Sequence, residues 1–183
     1  ERDFFAGRIE PKLIDLLDIV ALGTVADVAQ LRGLNRAFVA QGLKVMAQRK
    51  NIGVAALIEA SRLTRAPTCS DLGFALGPRI NAGGRVGKSD LGVRLLTTRD
   101  PAEAREIAAE LDALNEQRRA IEGDVQAEAD AMIAADARVA VVAGQGWHAG
   151  VIGIVAGRLK ERLGRPAIVI AIDEHGVGKG SAR

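Results

Sequence analysis

The segment from Arg138 to Arg183 allows few folds. Val139–Ala143 and Ala167–Ile172 are short apolar runs rich in β-branched residues, and Val151–Leu163 between them has the apolar spacing of an amphipathic helix. Strand, helix and strand of these lengths make a βαβ unit, with parallel strands and a right-handed crossover. Pro166 ends the helix before the second strand. The first strand enters the helix through GQGWHAGVIGIVAGRL, Gly144–Leu159, a glycine-rich turn carrying Trp147 and His148. Unpaired N–H groups and the positive dipole end of the helix converge there, which suits an anion. Taken alone, the same pattern also describes a structural turn with Trp147 packed in the core.

Upstream, the periodicity is helical from Pro11 to about Arg65. Leu13, Leu16, Leu17 and Val20 share one face, followed by Val39, Leu43 and Met46, then Ala56, Leu57 and Ala60. Ala66–Gly92 is rich in glycine and reads as an irregular loop displaying GPRINAGGR, Gly77–Arg85. Asp100 then offers an N-cap, Pro101 the first helical position and Glu103 an acidic first turn. Ile107, Leu111, Leu114, Ile121, Val125 and Met132 continue at steps of mostly three, four and seven, with Arg118 interrupting the stripe. One helix is expected to about Ala135, on the order of 50 Å long, acting as a spacer or as a dimeric coiled-coil segment. Gly123 is its weak point.

Composition narrows the partners. The chain is 48% hydrophobic, yet no run approaches the roughly 18 apolar residues of a membrane span. The single cysteine, Cys69, excludes an internal disulfide framework and fits a reducing, cytoplasmic setting without membrane attachment. A net charge of +2 is too small for bulk electrostatic binding to DNA, so nucleic-acid contacts must be local. Arginine outnumbers lysine 19 to 6, a bias that suits bidentate phosphate contacts and also follows from a GC-rich coding sequence. Aromatic content of 3% leaves few platforms for stacking bases.

ALGTVAD at Ala21–Asp27, GPRINAGGR at Gly77–Arg85, GWHAGVIGIVAGRL at Gly146–Leu159 and GVGKGSAR at Gly176–Arg183 occur in one order over nearly the whole chain. In these motifs the chain resembles the RecJ-type single-stranded-DNA exonucleases of the DHH phosphoesterase family. The resemblance implies an α/β fragment of that core. Residues 1–99 would be the helical C-terminal part of the DHH domain plus the motif loop, 100–136 the long connecting helix, and 137–183 the truncated first part of the DHH-associated α/β domain. The truncation would leave an unpaired sheet edge. The chain opens at Glu1 without an initiator Met and ends at Arg183 inside a motif, as a fragment would.

The resemblance further implies 5′-to-3′ hydrolysis of single-stranded DNA with two Mn²⁺ or Mg²⁺ ions, in DNA repair and recombination, with single-strand-binding protein as a further partner. The family's acidic DxD-type and Asp-His-His metal motifs are absent, and the only histidines are His148 and His175. The fragment is therefore expected to be inactive and without bound metal. Two alternatives stand beside this: a non-catalytic nucleic-acid-binding or interaction module, and a DHH phosphoesterase acting on small nucleotides.

Each candidate residue has two readings. Asp27 is a helix-end residue by position and matches the family's last metal-ligand aspartate by resemblance. Arg79 either pairs with a structural carboxylate or neutralises the phosphate near the cleaved bond, as a catalytic and substrate-binding cation. Asn81 and Arg85 would bind substrate beside it. His148 is a hydrogen-bonded structural histidine or a phosphate contact. Ser181 and Arg183 would recognise the 5′-terminal phosphate from a glycine-shaped loop, with Lys179 solvated or adding charge. Trp147 is expected to pack.

Overall fold

A computed structural model describes residues 5–7, 9–134 and 136–183. A 3-10 turn at Leu13–Leu16 leads into α1 (Leu17–Ala26), α2 (Gly33–Ala47) and α3 (Ile52–Ala60). Then come α4 (Cys69–Asp71), a π-helical turn (Leu72–Leu76), α5 (Gly77–Val86), α6 (Leu91–Thr97) and α7 (Pro101–Met132). The chain closes with β1 (Ala140–Gln145), α8 (Ile152–Leu163), β2 (Ala167–Ile172) and β3 (Gly178–Ala182). The described residues pack as two compact units, one within Glu1–Asn81 and Asp90–Asp112, the other within Ala82–Ser89 and Ala113–Arg183. The division falls inside α5 and inside α7.

In the first unit, Ala21, Leu22, Val39, Met46, Leu57 and Leu76 are buried, as are Ile107 and Leu111 from the start of α7. Thr68 and Asp71 close a capping box at α4, and Asp71 also takes a bidentate pair from Arg65. That guanidinium, before the Thr68 bonds, holds the Asp71 carboxyl well below its ordinary range. The expected loop over Ala66–Gly92 is instead largely helical. The capping box starts a helix at Thr68, and the glycines of GPRINAGGR are accommodated inside it with one π turn. Gly77 is required by close approach, because a methyl there would lie 2.7 Å from the Leu72 carbonyl oxygen and 3.0 Å from Ala26 Cβ.

Helix α7 starts as the sequence predicts, with the Asp100 carboxylate accepting from the Ala102 N–H at 2.8 Å. The helix expected to about Ala135 ends at Met132, and Ala135 lies outside the described residues. Where Arg118 breaks the apolar stripe, Asn115, Arg118 and Glu122 are buried as a polar group.

In the second unit, β1 and β2 pair in parallel from Ala140↔Ala167 to Gln145↔Ile172, and α8 is the crossover between them. The strand expected at Val139–Ala143 is shifted to Ala140–Gln145, and only one face is covered: Ala140 and Val142 are buried while Val141 is exposed. GKGSAR departs further from expectation. Gly178–Ala182 is a strand rather than a loop, antiparallel to β2. The turn before it supplies the reason: Asp173 accepts from the His175 and Val177 N–H groups, and Gly176 takes φ +78°, closing a β2–β3 hairpin. Among the described residues β1 and β3 each pair with β2 alone.

Candidate functional site

Two groups of candidate residues emerge, one in each unit. In the first, α1 ends at Ala26 and Asp27 is its C-cap, with its carboxylate exposed. The Gly77–Ala26 approach sets the ALGTVAD and GPRINAGGR motifs against each other. Arg79 is held inward, donating to the Asp112 carboxylate at 2.8 Å and to the Ala75 carbonyl at 2.8 Å, with its side chain 12% exposed. Asn81 is half-buried two residues further along α5. A helix turns about 100° per residue, so Arg79, Asn81 and Arg85 do not share one face as a loop would have allowed.

The metal question turns on this unit. Among the described residues no group of three or more His, Cys, Asp and Glu side chains is placed to hold a metal ion. One exposed carboxylate does not make a site for a hard divalent cation, which takes several oxygen ligands. The described residues therefore do not fit a two-metal centre.

In the second unit, the glycine turn and β3 flank α8. The Trp147 indole is buried and donates to Glu128 of α7 at 2.7 Å. His148 is exposed, its Nδ1 accepting from the Gly150 N–H at 3.0 Å, which leaves Nε2 as the donor nitrogen of the neutral ring. Gly150 is the second glycine fixed by close approach: a methyl there would lie 2.1 Å from the Arg85 carbonyl oxygen. Arg85 itself is exposed and donates to the Gly150 carbonyl at 3.3 Å. Beside the turn lies an open cavity of about 370 Å³ lined by Trp147, His148, Asp173, Glu174, Val177 and Lys179.

Ser181 and Arg183 alternate along the end of β3 and so face the same way. Both face α8, since a methyl on Gly153 would lie 3.4 Å from Ser181 Oγ and from one Arg183 guanidinium nitrogen. Arg183 is fixed by the ladder, exchanging N–H···O bonds of 2.9 and 3.0 Å with Ala167. A hydroxyl and a guanidinium at the open end of a strand, beside a helix, can bind a phosphate monoester through charge-assisted hydrogen bonds.

Sequence reasoning passed over two buried acids. Asp18, inside α1, is 2% exposed, and burial raises its carboxyl pKa above the ordinary range. Glu122, on α7, is 1% exposed and pairs with both Arg118 and Arg158. The legible signal was a charged residue set into each apolar stripe.

Residues 136–183 match the model of the DHHA1 domain, which places the β1–α8–β2–β3 unit in that class. The single-stranded-DNA-specific exonuclease RecJ of Dickeya dadantii is 46% identical over 186 residues, covering 97% of this chain and 32% of its own length. RecJ of Escherichia coli is 45% identical, covering 94% of the chain and 32% of its own length. The crystal structure of RecJ from Thermus thermophilus in complex with Mn²⁺ superposes with a TM-score of 0.85 at 35% identity, over 97% of this chain and 26% of that one. Over nearly its whole length the chain is similar to RecJ proteins, and it spans about a third of the length of the curated relatives it matches.

Proposed function

We propose that the chain is the part of a RecJ-type 5′-to-3′ single-stranded-DNA exonuclease that holds the 5′ end of the substrate, and that it is inactive alone. The observation that carries this is the placement of Ser181 and Arg183 on one face of β3 against α8. The curated relatives are single-stranded-DNA-specific exonucleases, and solved ones hold Mn²⁺ or Mg²⁺. In this reading Asp27 joins ligands supplied by a longer protein to bind those ions. Arg79 exchanges its Asp112 partner for substrate phosphate when DNA is bound, and Asn81, Arg85 and His148 contact the strand near it. The longer protein works in the cytoplasm in DNA repair and recombination, alongside single-strand-binding protein. No helix among the described residues is long and apolar enough to cross a membrane.

The test is release of nucleotides from 5′-phosphorylated single-stranded DNA with Mn²⁺. A full-length protein carrying this chain is expected to release them, and the chain alone is not. A full-length protein that binds the strand without cutting it would favour the second reading, a non-catalytic nucleic-acid-binding module.

A further inference from the structure

The ion pair of Arg79 and Asp112 is half made. Arg65 and Asp71, in the same unit, close a bidentate pair in which two guanidinium nitrogens meet both carboxylate oxygens. Arg79 instead reaches Asp112 through Nε alone, at 2.8 Å, while its Nη1 donates to the Ala75 carbonyl at 2.8 Å. Among the described residues Arg79 Nη2 and Asp112 Oδ2 make no hydrogen bond. The two side chains are 12% and 17% exposed, and neither open atom is sealed from solvent. Such a pair makes a poor staple, because charges this far from water repay their desolvation only when the geometry is good and the remaining hydrogen bonds are met. It makes a grip that can be given up. Nε and Nη2 lie on one edge of the guanidinium, the edge that a phosphate takes with two oxygens, and Asp112 occupies half of it.

We infer that Asp112 is a positioning residue that discriminates between phosphate groups. It keeps Arg79 from free phosphate and released 5′-mononucleotides and yields it to a phosphate carried in a bound strand. A tethered phosphate is present at high effective concentration and displaces the carboxylate with two bonds for one, whereas a free phosphate must compete unaided. The inference rests on the reading of Arg79 as a phosphate contact and assigns to Asp112 the release of product from it.

The experiment is a titration of the chain with inorganic phosphate at constant ionic strength, followed by phosphorus magnetic resonance, in the unaltered chain, Asp112→Asn, Arg79→Ala and the double variant. Asparagine keeps the shape and the acceptor while removing the charge. Asp112→Asn should therefore tighten phosphate binding by about fivefold, the upper worth of an ion pair open to solvent. The gain should vanish in the Arg79→Ala background, and phosphate held by Ser181 and Arg183 is common to all four proteins and cancels. Glu110→Gln, the same change of charge on the exposed side of α7, should leave the affinity unaltered. Asp112→Ala should repeat the gain and stands in if the asparagine variant does not fold. Unchanged or weaker binding in the Asp112 variants overturns the inference. So does a gain that survives Arg79→Ala or appears in Glu110→Gln, since it would come from net charge alone. In a full-length protein carrying this chain, Asp112→Asn should lower the inhibition constant of thymidine 5′-monophosphate by the same factor, and an unchanged constant overturns the role in product release. A full-length protein that cuts single strands while the phosphate gain is missing fails the inference and keeps the exonuclease reading; the gain in a protein that does not cut does the reverse.

Discussion

Asp18 sets a pH dependence whose sign follows from its burial. Its carboxyl is shifted up by desolvation, against a lowering contribution from the Ile19 N–H. A carboxyl whose folded pKa exceeds its unfolded value favours folding in the protonated form, so the stabilisation is present at low pH and is lost as pH rises from the ordinary carboxylate range through the folded pKa. Asp18→Asn should therefore raise stability relative to the unaltered chain at pH 7 and match it near pH 3, measured by urea denaturation; equal difference at both pH values would contradict it. Glu122 differs from Asp18 in its partners, for it pairs with two guanidinium groups. Arg118→Met removes one partner from a buried pair and should cost about 3 kcal/mol in the same assay. Both acids were visible only as interruptions of apolar stripes, and no spacing rule told which arginines Glu122 would meet. Arg118 was legible as an interruption; the other partner of Glu122, Arg158, lies 36 residues from it in sequence, and only the packing of α8 on α7 brings the two together.

Among the elements, α7 and the βαβ unit were the most readable. The Asp100 cap, Pro101 and the apolar stripe define α7 locally, and Pro166 and the β-branched runs define β2. The Ala66–Gly92 segment was misread because glycine content argues for loop, while a capping box and close packing argue for helix, and the latter prevailed. GKGSAR was misread for the complementary reason: its own β propensity is low, and the register to β2 supplies what the residues lack. The two kinds of glycine are separable by experiment. Gly123 is exposed in α7 with open space around it, so Gly123→Ala should stabilise by about 0.5 to 1 kcal/mol. Gly150→Ala places a methyl against the Arg85 carbonyl and should destabilise by about 1 to 3 kcal/mol. Thermal unfolding of both variants checks the pair, and a destabilising Gly123→Ala would speak against a continuous α7.

At the scale of the whole molecule, the candidate residues fall into two groups, Asp27, Arg79 and Asn81 in one unit and Arg85, His148, Ser181 and Arg183 in the other. The likeness to RecJ proteins was legible in four motifs, while the side-chain arrangement within each motif was not. Arg79 shows the limit most plainly, since its Asp112 partner lies on a helix 33 residues away and no sequence feature announced the pair. The central claim is that these groups divide the work, Arg79 acting near the cleaved bond and Arg183 at the 5′ end. Single-turnover rates and apparent affinities for 5′-phosphate and 5′-hydroxyl single strands, measured in Arg79→Ala and Arg183→Ala of a full-length protein carrying this chain, test that division most directly. Arg79→Ala should lower the chemical rate by roughly 10² to 10³ with the end preference kept, as for loss of a charge-stabilising donor. Arg183→Ala should erase the preference for the phosphorylated end. An Arg79→Ala enzyme as fast as the unaltered one, or an Arg183→Ala enzyme that keeps the original ratio between ends, contradicts the account.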